Sequence, residues 1–181
     1  LTAQPHLVIN KANLSLSGTR VYDAGTTYAG QFLTATGVLG ETFSVTGLGD
    51  ASNLSSANVQ SNQTLSSLTG LSLGSSSNGG LSTNYNTLST TGSSVSVTPR
   101  TLTVTGANNT VTYNGAAQTN TGATIAGKQG NDDFSISGYG SGTNASNTAY
   151  ADNLSVAAVG GTLLSNYSIS YTQGGLTIGK A

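Results

Sequence analysis

The residues that could do chemistry are few in this chain of 181 residues. The only acidic pair is Asp132-Asp133, which stands directly before Phe134 and the alternating pattern of a strand. Together with Asn131 and backbone carbonyls, these two carboxylates could supply the oxygen ligands of a calcium site. The plainer interpretation is a solvated loop at the entrance of a strand. We favour the loop and keep calcium as the alternative.

Histidine and cysteine chemistry is restricted by the number of these residues. The chain has no Cys, no Met and a single His, His6. Without Cys there is no disulfide, thiol nucleophile or Cys-ligated zinc site, and one His cannot form a multi-histidine metal centre. His6 has no Ser or Cys partner in a recognisable frame, so we expect a surface histidine rather than part of a catalytic triad. We predict no enzyme activity and no cofactor other than the calcium alternative.

Charge is scarce as well. Charged residues make up 6% of the chain, and the net charge is −1. Five cationic residues cannot cover a phosphate-binding surface, which excludes nucleic acid as a partner. No apolar run approaches the ~20 residues of a membrane helix, so we expect no membrane insertion. Disorder requires high net charge together with low hydrophobicity, and we therefore expect this chain to fold or associate.

Apolar and polar residues alternate with period two, which predicts half-buried strands. No window shows the 3.6-residue period of a capped helix. Clusters of Gly, Asn and Ser separate the alternating segments, and Asn114-Gly115 predicts a two-residue hairpin turn. The alternating residues are Leu7 and Ile9, Leu14 and Leu16, Phe43 and Val45, Val95 and Val97, Leu102 and Val104, Phe134 and Ile136, and Tyr167, Ile169 and Tyr171.

A six-residue segment occurs three times and marks the boundaries of repeated units. Leu7–Ala12 recurs near the middle of the chain as Val95–Arg100, and at its end as Leu176–Ala181. We assign the basic residue near the end of each copy to one junction position, where its long stem would cover apolar surface. These residues are Lys11, Arg100 and Lys180.

Aromatic residues repeat between these boundaries. Each half has a Tyr at a turn, a Phe at the same distance after that Tyr, and a late Asn-Tyr pair shortly before the next boundary strand. An aromatic residue at a repeated position more often packs on the core than binds a ligand. We therefore expect structural roles for Tyr22, Tyr113, Phe43, Phe134, Tyr85 and Tyr167.

Three further tyrosines, Tyr28, Tyr139 and Tyr150, have no counterpart in the other half of the chain. They do not follow from the repeat, so we take them as the candidates for surface contacts. A tyrosine ring can stack on a sugar, and glycans are therefore among the partners that these residues could bind.

The repeat predicts two tandem all-β domains, residues 1–97 and residues 98–181, the second ending in the start of a third repeat. We expect small immunoglobulin-like β-sandwiches in an end-to-end array, because first and last strands that pass from unit to unit suit a sandwich; a β-grasp fold is the alternative. No flexible Gly/Ser linker separates the units, so we expect a semi-rigid string. The missing initiator Met and signal peptide suggest that Leu1 begins a processed or excised segment.

The boundary strand, the Tyr turn, the late Asn-Tyr and the closing Leu-Thr-Ile-Gly-Lys-Ala resemble the YDG and MBG repeat families of bacterial surface proteins. The first unit resembles the YDG type and the second the MBG type. Ala24 interrupts the Tyr-Asp-Gly turn of the first unit, and Asn114 replaces its Asp in the second. The resemblance implies tandem repeats in large exported proteins, often filamentous-haemagglutinin-like adhesins. It implies a stalk or spacer on the surface of a Gram-negative bacterium.

Three functions remain open at this point. The first is a passive stalk whose partners are neighbouring repeat domains. The second is a self-assembling subunit of an extracellular filament, because a weakly charged chain has few charged residues to protect its strand edges from pairing with identical subunits. The third is a module that binds host or matrix glycans.

Overall fold

The structure is a computed structural model that describes residues 7–181, so His6 lies outside the described residues. The chain forms two compact units, of which the first ends at Thr98 and the second begins at Pro99. The prediction of an all-β fold is confirmed, because the helical pieces within residues 7–181 are all 3-10 turns of three residues. A β-grasp fold needs an α-helix across its sheet, and this part of the chain contains none. The immunoglobulin-like arrangement stays a prediction.

One six-stranded sheet organises the first unit. Its strands are β1 (Ser15–Val21), β2 (Leu33–Thr36), β3 (Thr42–Thr46), β4 (Gln60–Gln63), β5 (Ser72–Ser76) and β6 (Ser94–Thr98), with 3-10 turns at Gly30–Phe32, Val38–Gly40 and Ser82–Asn84. The strand order is β4-β6-β1-β2-β3-β5. Strands β1 and β6 run parallel, and the other neighbours are antiparallel.

The second unit is built from shorter sheets. Its strands are β7 (Arg100–Thr105), β8 (Asn108–Thr112), β9 (Gln118–Thr119), β10 (Thr124–Ala126), β11 (Asp133–Ser137), β12 (Ser141–Gly142), β13 (Ser146–Ala151), β14 (Ser155–Val159), β15 (Tyr167–Thr172) and β16 (Gly175–Gly179), with a 3-10 turn at Leu164–Asn166. Two three-stranded sheets have the orders β10-β7-β15 and β13-β16-β8. Two-stranded sheets join β11 to β14 and β9 to β12.

The period-two pattern places alternate side chains in the two cores. In β6, for example, Val95 and Val97 are buried, whereas Ser94 is exposed and Ser96 is half-buried. Burying a Val or Leu side chain of this kind stabilises the fold by roughly 1.5–3 kcal/mol. Core residues of the first unit include Leu14, Leu16, Leu33, Ala35, Phe43, Val45, Leu54 and Leu65, and those of the second include Leu102, Val104, Phe134, Leu154, Leu176 and Ile178.

The first copy of the six-residue segment is not a strand, and the prediction of a strand at Leu7 and Ile9 is wrong. Residues 7–11 have no assigned secondary structure, and Ala12 makes only an isolated parallel bridge with Tyr85. The other two copies lie in β6 and β16, which pair with β1 and β8. Within residues 7–181 the first copy has no such partner strand, because β6 and β16 already occupy these two positions.

The three basic residues near the boundaries do not share one position. Ala12 bridges Tyr85 in the first unit, whereas Arg100 is the register partner of Tyr167 in the second. Arg100 therefore takes the place of Ala12, one residue later than Lys11, and the predicted common junction position is wrong. Burial differs accordingly: Lys11 and Lys180 are exposed, and Arg100 is half-buried.

Asn114-Gly115 forms a turn, but the predicted hairpin is wrong. Strand β8 before the turn pairs with β16, and β9 after it pairs with β12. The Ala116 N–H donates to Asn114 Oδ1 at 2.9 Å, and Gly115 has a φ of +79°. The local sequence thus specifies the turn, while the flanking strands take partners that are distant in the chain.

The first unit builds the same turn despite the alanine in its motif. The Gly25 N–H donates to Asp23 Oδ1 at 2.9 Å, and Ala24 adopts a left-handed φ of +63°, as Gly115 does in the second unit. Left-handed backbone costs a residue with a Cβ about 1–2 kcal/mol. Ala24 is therefore strained at a position where glycine would not be.

Candidate functional site

A buried tyrosine in the first unit is held by an acid, a backbone N–H and a phenylalanine. The Tyr85 hydroxyl donates to the Glu41 carboxylate and accepts from the Val38 N–H at 3.1 Å. Its ring packs edge-to-face on Phe43, with 5.3 Å between the ring centroids. We call these four residues the first Tyr–acid cluster.

The second unit repeats this arrangement. The Tyr167 hydroxyl donates to Asp132 Oδ2 at 2.6 Å and accepts from the Gln129 N–H at 3.0 Å, and the Tyr167 and Phe134 ring centroids lie 5.2 Å apart. In both units the acid stands two residues before the Phe and three residues after the N–H donor. We call this set the second Tyr–acid cluster.

The physical reason for the cluster is the burial of the tyrosine. Tyr85 and Tyr167 are only 3% and 6% exposed, and a buried hydroxyl needs hydrogen-bond partners. The hydrogen bond to Glu41 raises the pKa of Tyr85, because it stabilises the protonated phenol beside a carboxylate. The aromatic residues were predicted from their repetition, but Glu41 was missed. The signal that could have found it is an acid two residues before the repeated Phe in both halves.

The two carboxylates predicted as calcium ligands have different partners. Asp132 accepts from Tyr167, whereas Asp133 forms an ion pair with Lys128 at 3.1 Å. The hydrogen bond from Lys128 lowers the pKa of Asp133. Across residues 7–181 no three or more His, Cys, Asp or Glu side chains gather where they could hold a metal ion. Calcium binding by Asp132 and Asp133 stays a prediction.

Tyr28 is a core residue, and the prediction of a surface contact is wrong. Its exposed fraction is 0%, and its hydroxyl donates to the Ser96 carbonyl at 3.2 Å. Its backbone is held on both sides by the amide of Asn53, at 2.6 and 2.9 Å. Burial raises the pKa of Tyr28 to about 12. Its hydrogen-bond partners Asn53 and Ser96 lie 25 and 68 residues away in the chain, so the local sequence does not indicate them.

Arg20 in β1 is a buried cation that the sequence analysis missed. Its side chain pairs with the Asp23 carboxylate and donates to the Gly25 carbonyl, and its guanidinium lies 5.6 Å from the centre of the Tyr28 ring. Arg20 is 2% exposed, and its Nε is buried without a hydrogen-bond partner among the described residues. The register places Val111 at the matching position of the second unit. The second unit thus lacks both the buried arginine and a counterpart of Tyr28.

The two turn tyrosines share a backbone position but not an environment. The Tyr22 N–H donates to the Thr98 carbonyl and the Tyr113 N–H to the Gly179 carbonyl, each at 2.9 Å. The Tyr22 side chain is 4% exposed, but Tyr113 is 42% exposed. The prediction that the Tyr113 ring packs on the core is therefore wrong. The turn is repeated, and the ring contact is not.

Tyr139 and Tyr150 are half-buried and lie in the second unit, whereas Tyr28 lies in the first. The Tyr150 hydroxyl donates to the Asn144 carbonyl at 3.0 Å. Its ring lies against Gly142, where an added Cβ would stand 2.2 Å from the ring. The ring of Tyr150 is thus engaged inside its own unit, which leaves less of it for a sugar.

A buried polar network in the second unit was also missed. Asp152 is 6% exposed, and both of its carboxylate oxygens lie 2.9 Å from the Asn120 amide nitrogen. The Gly140 N–H donates to the same carboxylate at 2.7 Å, and Asn120 also donates to the Ala107 carbonyl at 2.8 Å. The network joins loops next to four strands. Its members are ordinary polar residues in sequence, so no local pattern identifies them.

The entering and leaving strands of the first unit run side by side in parallel. Strands β1 and β6 pair over five residues, from Ser17 with Ser94 to Val21 with Thr98. The unit therefore begins and ends in adjacent strands that point the same way. A single residue, Pro99, separates β6 from β7.

The second unit uses the same parallel pairing over a longer stretch. Strand β7 pairs with β15 as far as Thr105 with Thr172, and β8 pairs with β16 from Asn108 with Gly175 onward. The register is continuous, because the chain advances by three residues from β7 to β8 and by three residues from β15 to β16. The entering arm of β7 and β8 is thus paired with the leaving arm of β15 and β16.

These features define an all-β protein whose two units share their Tyr–acid clusters and their parallel end strands. Comparison with family models, curated proteins and solved structures found no match. The resemblance to the YDG and MBG repeats therefore stays a prediction. In the part of the chain from residue 7 onward, no helix has the length and apolar character needed to cross a membrane.

Proposed function

We propose that this chain is a stalk or spacer segment of an extracellular bacterial adhesin or surface fibre, and that it works by resisting tension. The observation that carries the proposal is the parallel pairing of the entering and leaving strands in each unit. The extracellular location rests on the resemblance to repeats of bacterial surface proteins. The composition is compatible with it, because a chain without Cys or Met has no sulfur to oxidise.

Tension along the chain reaches the first unit at the start of β1 and leaves it at the end of β6. Because the strands are parallel, these two points lie at opposite ends of the paired stretch. The force then slides one strand along the other, and the hydrogen bonds of all five register pairs share the load. If the two strands were antiparallel neighbours, the same pull would open their bonds one after another.

The second unit receives force in the same geometry. It enters at Arg100, the first residue of β7, and leaves at Gly179, the last residue of β16. The covalent connection from β6 to β7 is Pro99, whose ring restricts the backbone φ angle to a narrow range. A one-residue connection gives the chain little slack between β6 and β7. This suits a spacer better than a flexible tether.

Single-molecule force spectroscopy tests this proposal by comparing two directions of pulling on the first unit. The chain has no Cys, so attachment points can be introduced singly. Pulling from residue 7 to residue 181 loads β1 against β6 in shear. In the control N13C/T91C, both attachment points are exposed and lie just before β1 and β6, so the same bonds open in sequence.

We expect a clearly higher rupture force for the first unit in the end-to-end geometry than in the control geometry. Equal forces in both directions, or a higher force in the control, would contradict the proposed resistance to tension. Urea denaturation of both variants serves as the check that the attachment sites leave the fold intact.

A self-assembling filament subunit is the second candidate function. The observation that favours it is the exposed apolar segment at Leu7, Val8 and Ile9, whose exposed fractions are 88%, 73% and 87%. Negative-stain electron microscopy and light scattering of the isolated chain separate the two candidates. Regular fibres formed by the chain alone would favour the filament, and monomers would favour the stalk.

The third candidate, a glycan-binding module, has less support than before. One of its three candidate tyrosines, Tyr28, is buried and cannot stack on a sugar.

A further inference from the structure

Of the three copies of the boundary segment, two are buried closing strands and one is exposed. Val97 in β6 and Ile178 in β16 are 2% and 0% exposed, and each lies at the same point of its segment as Ile9. Ile9 is 87% exposed. The same sequence pattern therefore has two environments, and the difference lies in whether a partner strand is present.

The exposed copy is closer in sequence to β16 than to β6. Residues 7–12 read Leu-Val-Ile-Asn-Lys-Ala, and residues 176–181 read Leu-Thr-Ile-Gly-Lys-Ala. The two residues that β16 buries, Leu176 and Ile178, are identical in the exposed copy. The differences are Val for Thr177 and Asn for Gly179.

The place of β16 beside β8 could accept both differences. Thr177 is half-buried and β-branched like valine. Gly179 has no left-handed φ, and an added Cβ would meet its nearest neighbour, the Val111 carbonyl oxygen, at an ordinary distance of 3.7 Å. As far as the Cβ atom, a strand with the sequence of residues 7–12 therefore meets no steric obstacle in that position.

The order of elements supports the same role. In the middle of the chain, closing strand β6 is followed after Pro99 by the entering strand β7. Residues 7–10 are followed in the same way, after a short connection, by the entering strand β1. Both parallel positions of this kind in the described units, beside β1 and beside β8, are already filled.

We infer that residues 7–11 are the closing strand of a further β-unit built on the plan of the second unit. In that unit they would run parallel to a strand equivalent to β8. Leu7 and Ile9 would occupy the buried positions that Leu176 and Ile178 hold in the second unit. The partner is thus a repeat unit that lacks a closing strand of its own.

The first experiment asks whether the sequence of the exposed copy closes a unit. In the full chain, T177V/G179N converts the segment of β16 into the sequence of residues 7–12. We expect the second unit to remain folded, with amide protection in β8 and β16 unchanged within twofold. The control L176S/I178S should remove this protection. Loss of protection in T177V/G179N would overturn the inference.

The second experiment supplies the missing unit. Residues 99–175 are fused directly before Leu7 of the chain, so that residues 7–12 take the place of residues 176–181 in the added copy. We expect the added copy to fold and the amides of residues 7–11 to become protected from hydrogen exchange, at least tenfold over the original chain. The variant L7S/I9S of the fused chain should leave the added copy unfolded and the other two units intact.

Two results of this experiment would overturn the inference. One is unprotected amides in residues 7–11 of the fused chain. The other is an added copy that folds equally well with L7S/I9S, because another element must then close it. Sedimentation of the original chain tests whether a second copy of this chain pairs with residues 7–11 in place of a further unit. An oligomer that L7S/I9S abolishes would assign these residues to a second copy and would also overturn the inference.

Discussion

The hydroxyl of Tyr85 should stabilise the first unit through the first Tyr–acid cluster. Tyr85→Phe removes the donor to Glu41 and the acceptor of the Val38 N–H, while the ring keeps its contact with Phe43. A hydrogen bond to a charged group contributes about 1.5–3 kcal/mol, and a buried unpaired group costs about 1–3 kcal/mol. Glu41 is half-buried and Val38 is exposed, so water can replace part of what is lost. We therefore expect the free energy of unfolding to fall by about 1–2 kcal/mol, toward the lower end of these ranges.

Hydrogen exchange measured at increasing urea concentrations gives this free energy for each unit separately. Peptides from β1 to β6 should report the loss in Tyr85→Phe, and peptides from β7 to β16 should not change. The equivalent change, Tyr167→Phe, should reverse this pattern. Tyr113→Phe is the matched control, because that ring is 42% exposed and its loss of a hydroxyl should stay within about 0.5 kcal/mol.

A double-mutant cycle with Glu41→Gln isolates the bond between the two side chains. If the hydroxyl and the carboxylate act together, the double variant should be more stable than the sum of the single changes predicts, by about 0.5–1.5 kcal/mol. Additive effects, or a loss below about 0.5 kcal/mol in Tyr85→Phe alone, would refute the reasoning that the cluster holds the unit together.

Two further predictions concern the first unit. Ala24→Gly should raise the free energy of unfolding of the first unit by about 1 kcal/mol, because the φ of +63° strains alanine but not glycine. Urea denaturation measures this change, and an unchanged free energy of unfolding would contradict the assigned strain. Because burial raises the pKa of Tyr28 from 10.0 to about 12 in the folded unit, the contribution of its protonated phenol to stability is fully present below pH 10, and the free energy of unfolding should fall as the pH rises from 10 through 12. Ultraviolet titration should show a tyrosine that ionises near pH 12 and is missing in Tyr28→Phe, whereas the raised pKa of Tyr85 should remain in this variant. A titration at high pH that Tyr28→Phe leaves unchanged would refute the burial of Tyr28.

Much of the local structure follows from the sequence. The alternation at Val95 and Val97, or at Leu102 and Val104, requires an extended chain with one buried face, because side chains of a strand point to opposite sides in turn. The repeated Phe43 and Phe134 are both buried for the same reason. The Asx turns also follow from local chemistry, since the side-chain oxygen of Asp or Asn accepts from the backbone two residues on.

Partners across long distances could not be predicted in this way. Tyr28 is hydrogen-bonded to Ser96 and Asn53, which are distant in the chain, and Glu41 accepts from a tyrosine 44 residues away. The acid two residues before each repeated Phe marks Glu41 as a repeated position, but neither it nor the residues next to Tyr28 indicate which distant residue is the partner. The same holds for Asp152, whose amide partner Asn120 lies 32 residues earlier.

The exposed segment at residues 7–9 shows which features the sequence determines and which depend on the tertiary structure. The sequence alone determined that this segment resembles the two closing strands, with apolar residues at the positions that those strands bury. Only the tertiary structure decided that it has no partner strand within residues 7–181, because a strand needs the backbone N–H and C=O groups of a neighbour. The neighbouring positions beside β1 and β8 are held by β6 and β16, so identical local preferences lead to burial in two copies and exposure in the third.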